Sequence, residues 1–199
     1  MKRNSANRRK HSNIFSLKTL LIAALVCLVF LPAGEVGAAD PITFDLAKGP
    51  VSITAEGYTG YSSDWSSGGA DLDGLYNAAN KYIVTQSDPL TATTNTISVS
   101  GAGSFDITLY GVNISGSGSN SVTTTTGVSI LINATNTDTN VTLRLSGTNT
   151  IQRLHYHGSG SLTITDAEGD GSSRGALIAT SAGTSDNWGA AIGGTDDHD

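Results

Sequence analysis

At 199 residues the chain has room for one or two domains, and its 24 glycines and four prolines, set among many Ser, Thr and Asn, make poor helix material. Its formal net charge is −6, yet six of the eleven basic residues fall before residue 19. From Asp40 onward five basic residues face sixteen acidic ones, a net charge of −11 that argues against a nucleic-acid partner, because no basic stripe remains to neutralise phosphates.

The first element is a leader. "MKRNSANRRKHSNIFSLK" is basic and free of acid, the twelve residues "LLIAALVCLVFL" (20–31) are apolar, and "PAGEVGAAD" supplies small residues for cleavage near Ala39. Twelve helical residues reach only about 18 Å, well short of the ~30 Å hydrocarbon core, so residues 1–39 read as a cleaved signal peptide and not as a permanent span. Cys27 lies inside this segment, which leaves residues 40–199 without cysteine. With no Pro-rich or charged linker after it, 40–199 reads as one domain, secreted and free of disulfides, with no membrane contact after cleavage.

Short alternating segments follow in chain order: "ITFDL" (42–46), "VSITAEG" (51–57), "KYIVT" (81–85), "TISVS" (96–100), "FDITLY" (105–110), "VSILI" (128–132), "VTLRL" (141–145), "LTITDAEG" (162–169) and "ALIAT" (176–180). Most place apolar residues at every second position, the period of a strand buried on one face, while "KYIVT", "VSILI" and "ALIAT" are strand candidates with continuous apolar runs, and Gly, Ser, Thr and Asn fill the connections. One segment has helical spacing: "DLDGLYNAANKY" (71–82) puts Leu72, Leu75, Tyr76 and Ala79 at i, i+3, i+4 and i+7 behind Asp71 as N-cap, so a helix is expected there.

"FDITLYGVNIS" (105–115) returns 36 positions later as "VTLRLSGTNTI" (141–151). Phe105, Ile107, Leu109 and Gly111 correspond to Val141, Leu143, Leu145 and Gly147, and Asn113 to Asn149. A repeat of that length, with a glycine where the apolar phase breaks, suits a solenoid in which equivalent residues stack from turn to turn. The expected fold is all-β, a parallel β-helix with an N-terminal cap; a β-sandwich carrying two similar hairpins is the alternative.

"ITFDLAKGPVSITAEGYTGY", "ITLYGVNIS", "VTLRLSGTNTI", "GSLTIT" and "GAAIGG" resemble the N-terminal part of a family of large secreted or wall-attached bacterial right-handed β-helix proteins, often described as carbohydrate-binding or adhesin-like. The resemblance runs over most of 41–194 and specifies an architecture, not a reaction. It implies an extracellular or cell-wall location and further turns beyond this piece of chain. The departure at "IQRLHYHGSG" leaves the register between 150 and 162 open.

Candidate sites come from three patterns. In "GYTGYSSDWSSGG" (57–69), Tyr58, Tyr61 and Trp65 can stack on a sugar ring while Asp64 bonds its edge; the competing reading is a cap over the first turn. In "DAEGDG" (166–171), Asp166, Glu168 and Asp170 resemble the first half of a calcium loop, although Leu177 stands where the closing acid belongs. Calcium is the one ion suggested, and no cofactor is otherwise called for. His155 and His157 share a strand face at a spacing open to a transition metal, but are expected as outward positions flanking Tyr156. Trp188 is expected to pack on the last turn, and Asp196, Asp197, His198 and Asp199 to form an acidic end.

No catalytic residue stands out. Lyase chemistry wants clustered cations and glycoside hydrolysis two facing carboxylates, and neither pattern is visible along the chain. The expected function is non-catalytic adhesion or binding of a glycan or other cell-surface ligand. A polysaccharide lyase or glycosidase is one alternative, and a structural stalk in a larger surface protein another.

Overall fold

The computed structural model describes residues 40–115, 127–167, 174–180 and 191–193, and among these every regular element is a strand. In chain order they are β1 (Ile42–Asp45), β2 (Val51–Thr54), β3 (Gly57–Gly60), β4 (Leu72–Leu75), β5 (Lys81–Thr85), β6 (Ile97–Ser100), β7 (Gly103–Tyr110), β8 (Asn113–Ile114), β9 (Ile130–Ser146), β10 (Thr148–Ile151), β11 (Leu154–Asp166), β12 (Ala176–Ala179) and β13 (Ile192–Gly193). The fold is all-β: a ten-stranded mixed sheet and a three-stranded parallel sheet.

Pairing follows the alternation read from the sequence. Along one ladder Val51, Ile97, Ile130 and Leu154 stand in register on β2, β6, β9 and β11. Along a second, Ile42, Tyr82, Ile107, Leu143 and Ile164 do so on β1, β5, β7, β9 and β11. A third joins β8, β10 and β12. All three are parallel, and most of their in-register apolar residues are buried together in one core. Parallel strands tolerate this arrangement because apolar side chains of one row pack directly on those of the next. β9 and β11 each take part in two ladders, their first residues in one and their last in another.

The 36-residue repeat is a physical register. Phe105 pairs with Val141, Ile107 with Leu143 and Leu109 with Leu145. At the corner, Gly111 (φ +64°) and Gly147 (φ +65°) both hold the left-handed conformation that favours glycine, and Gly111 N–H donates to the Ser146 carbonyl at 3.2 Å. Beyond the corner the correspondence slips by one residue, because Thr150 pairs with Asn113. Asn149 therefore does not stand opposite Asn113. It is buried instead, accepting from Val112 N–H at 3.1 Å and donating to the Ser146, Gly147 and Ala176 carbonyls at 3.2–3.3 Å. It ties together three strand ends, giving the Val112 N–H its acceptor and adding a donor to carbonyls of which those of Ser146 and Gly147 also accept from Gly111 and Ala176 N–H.

One other expectation is corrected. Residues 71–82 hold no helix: Leu72–Leu75 is β4, antiparallel to β3, and a turn closed by Asn80 N–H on the Asn77 carbonyl follows. Leu72 and Gly74 point to one side and Asp73 and Leu75 to the other, so the strand splits the two leucines that the helical period would place together and leaves Leu75 exposed. Gly74 settles the choice, since a Cβ there would lie 2.4 Å from the Tyr58 hydroxyl. "VSITAEG" and "LTITDAEG", alike in sequence, belong to different ladders: Val51–Thr54 pairs with β6, and residues 162–166 pair with the second part of β9. The open register closes with Leu154 on Ile130 and a shift between Gly158 and Gly160.

At the N-terminal side, β2, β3 and β4 form an antiparallel meander against the parallel ladders. Phe44 stacks with Tyr82 (ring centroids 6.3 Å), and Tyr58 sets its edge against both, at 6.0 and 5.7 Å. Burial pushes the Tyr82 hydroxyl's pKa up from its ordinary value.

Candidate functional site

The meander builds a groove on its outer face. Thr54 makes the first turn: its hydroxyl accepts from Glu56 and Gly57 N–H at 3.2 and 3.1 Å and donates to the Gly57 carbonyl, which projects Glu56 outward. Ser52, Thr59 and Asp73 then lie in one row across β2, β3 and β4, and Leu75 lies beside Gly57 in the next. Ser52, Thr54, Glu56, Thr59, Asp73, Leu75 and Tyr58 line a cavity of about 450 Å³. Leu75 is 84% exposed, an apolar surface beside two carboxylates and three hydroxyls. Polar edges around an apolar floor suit a ligand with hydroxyl groups and an apolar face.

The predicted aromatic cluster divides in two. Tyr58 borders this groove, but its ring turns to the inner face, in the row of Ile53 and Gly74, and packs half-buried on Phe44 and Tyr82. Tyr61 and Trp65 come together in the following loop, ring centroids 4.9 Å apart and nearly perpendicular. Tyr61 covers Gly49, where a Cβ would lie 2.1 Å from the ring, and Trp65 donates its indole N–H to the Gly69 carbonyl at 2.8 Å. Asp71 closes the loop by accepting from the Ser62 N–H and hydroxyl, and the hydroxyl bond draws its carboxyl below the usual pKa. Asp64 is exposed between Tyr61 and Trp65.

The other predicted residues lie apart. Asp166 ends β11 and accepts from Gly175 N–H at 3.1 Å; Glu168 and Asp170 lie outside the described residues, as do Trp188 and residues 196–199. Among the described residues no three His, Cys, Asp or Glu side chains gather as a metal site. His155 and His157 do share a face, with parallel rings 6.1 Å apart, but His155 is 1% exposed and not an outward solvent position. Tyr156 turns the other way, toward the core, and donates to the Ser159 carbonyl at 2.9 Å. On the outer face of β5, β7 and β9, Lys81 is in register with Asp106, whose carboxylate holds Arg144 Nε at 2.8 Å. At about 30% exposure on each side that pair contributes under about 1 kcal/mol.

Glu56, Asp73 and Leu75 were not legible as site residues. Glu56 and Asp73 are seventeen positions apart and line one groove only because residues 72–75 form a strand. No family model, curated protein or solved structure matches the chain.

Proposed function

We propose that residues 40–199 form a right-handed parallel β-helix, capped by the β2–β4 meander, in a secreted or wall-associated protein that binds a glycan without cleaving it. The in-register parallel ladders and the 36-residue spacing of β7 and β9 support the solenoid, and the basic-apolar leader supports export. The groove at Glu56, Asp73, Tyr58 and Leu75 carries the functional reading. Its carboxylates accept hydrogen bonds from sugar hydroxyls, its Ser and Thr hydroxyls donate and accept, and exposed Leu75 offers apolar contact to a ring face. Two carboxylates repel an acidic sugar, so the ligand class is a neutral glycan. Tyr61, Asp64 and Trp65 extend the same surface as a second contact.

One observation favours a second reading. Glu56 and Asp73 both line this groove, and glycoside hydrolysis works with a pair of carboxyl groups. Glycan-array binding followed by titration separates the cases. The expected result is binding of neutral oligosaccharides without release of reducing ends, weakened about tenfold or more in Asp73→Asn and in Trp65→Ala, with folding intact by circular dichroism. Reducing-end release lost in Glu56→Gln would establish the hydrolase instead. Binding to no glycan would leave the stalk.

A further inference from the structure

Arg153 stands at the corner between β10 and β11 and is only 2% exposed. The backbone on both sides of it is fixed. Its carbonyl accepts from Ser129 and Ile130 N–H at 2.9 and 3.1 Å, Thr180 N–H donates to the Ile151 carbonyl at 3.0 Å, and Leu154 N–H donates to the Ala191 carbonyl at 2.9 Å. Ser129, buried beside it, has its hydroxyl engaged already, accepting from Gln152 N–H at 2.9 Å and donating to the Ile114 carbonyl at 3.3 Å. The guanidinium itself is different: Nε, Nη1 and Nη2 are all buried, and none has a hydrogen-bond partner among the described residues.

A guanidinium does not neutralise itself by losing a proton, so burial leaves a full positive charge and five N–H donors to be satisfied. An isolated ion in that position costs several kcal/mol, far more than a chain of ordinary stability tolerates without compensation. The group that compensates most completely is a planar or tetrahedral oxyanion, which takes two parallel N–H bonds from the fork and cancels the charge. A chain carrying −11 beyond its leader gains nothing from anions in general, so the recognition is local to this corner.

We propose that Arg153 is the receptor for a small oxyanion, either a carboxylate or a phosphate- or sulfate-type group, which locks the corner between β10 and β11. The site is independent of the glycan groove, sharing no residue with it. Binding to the folded state alone raises stability in proportion to occupancy.

The test is a thermal melt of the full chain, titrated with sodium acetate, phosphate or sulfate from micromolar to low millimolar at constant ionic strength in chloride. The expected result is a saturating rise in Tm of about 5 °C or more with at least one of them. Acetate acting alone assigns a carboxylate, and phosphate or sulfate a tetrahedral group. Non-specific salt effects grow linearly into the molar range and do not saturate. Arg153→Met removes the buried charge at similar volume; it is expected to raise Tm in chloride and to abolish the response, while Arg153→Lys keeps the charge and responds more weakly. A wild-type Tm that shows no saturating response to any of the three overturns the proposal, as does an undiminished response in Arg153→Met.

Discussion

Phe44→Ala is expected to lower stability by about 3–5 kcal/mol, read as a fall in the urea midpoint at unchanged slope. Phe44 is fully buried where the core meets the meander, stacked with Tyr82, met by the edge of Tyr58 and covered by Gly60, where a Cβ would lie 2.3 Å from the ring. Alanine removes the ring from between three groups that cannot all close on the space, because β1 and β3 are held by backbone pairing to β5 and to β2 and β4. Phe44→Leu refills part of the volume and is expected to recover part of the loss. The groove should weaken with the cap, since Tyr58 packs in the cap and borders the groove. A cost under about 1 kcal/mol would mean that this end of the core is loosely packed, and that the meander is not the cap described above.

Asn149 gives the second large effect. Its amide satisfies one buried N–H and three carbonyls at the corner where β9, β10 and β12 meet β8. Asn149→Ala leaves the Val112 N–H without its acceptor, and a loss of about 3 kcal/mol is expected from the unsatisfied group and the lost bonds together. Asn149→Asp makes a sharper test. At neutral pH it sets a carboxylate against three carbonyl oxygens and should cost more than alanine. The gap should narrow as pH falls and the carboxyl protonates, because protonation removes the repelling charge and restores a donor. The sign follows from linkage: the carboxylate's pKa is raised in the folded state, so the mutant regains stability only as pH drops through that raised value. A pH-independent difference between the two variants would contradict the hydrogen-bonding role.

The strands were legible wherever a strict period of two ran for at least four residues, as in β1, β2, β6 and the second part of β9. The register between β7 and β9 was legible as well, because a repeat of inward residues can stack only in one phase without turning its apolar set outward. Residues 72–75 were misread because Leu72 and Leu75 have helical spacing, whereas pairing with β3 makes them a strand that buries part of Leu72 and leaves Leu75 exposed, with the Tyr58 ring over Gly74. The slip at Asn149 was hidden because the second corner needs one residue more than the first, an amount that a shared asparagine masks. His155 looked outward from its alternation with Leu154, yet alternation reports only the side of the sheet and not what covers it. The groove depended on β4, so Glu56 and Asp73 stayed invisible until that strand was placed. Tyr61 and Trp65, by contrast, are four residues apart in one loop and were readable as a pair.

The stacking of β7 on β9 with an offset of 36 residues underlies both the proposed solenoid and the placement of its cap. It is tested most directly by paired cysteines in a Cys27→Ser background. Thr108 and Arg144 are in register on outward positions of these strands, and the spacing of neighbouring strands, about 4.8 Å, lies within the range a disulfide spans. Under mild oxidation Thr108→Cys with Arg144→Cys is predicted to close an intramolecular disulfide rapidly and with an unchanged circular dichroism spectrum, while Thr108→Cys with Thr142→Cys, displaced by two residues, is predicted to close slowly or not at all. Preferential closure of the displaced pair, or closure of neither, would contradict the stacked register.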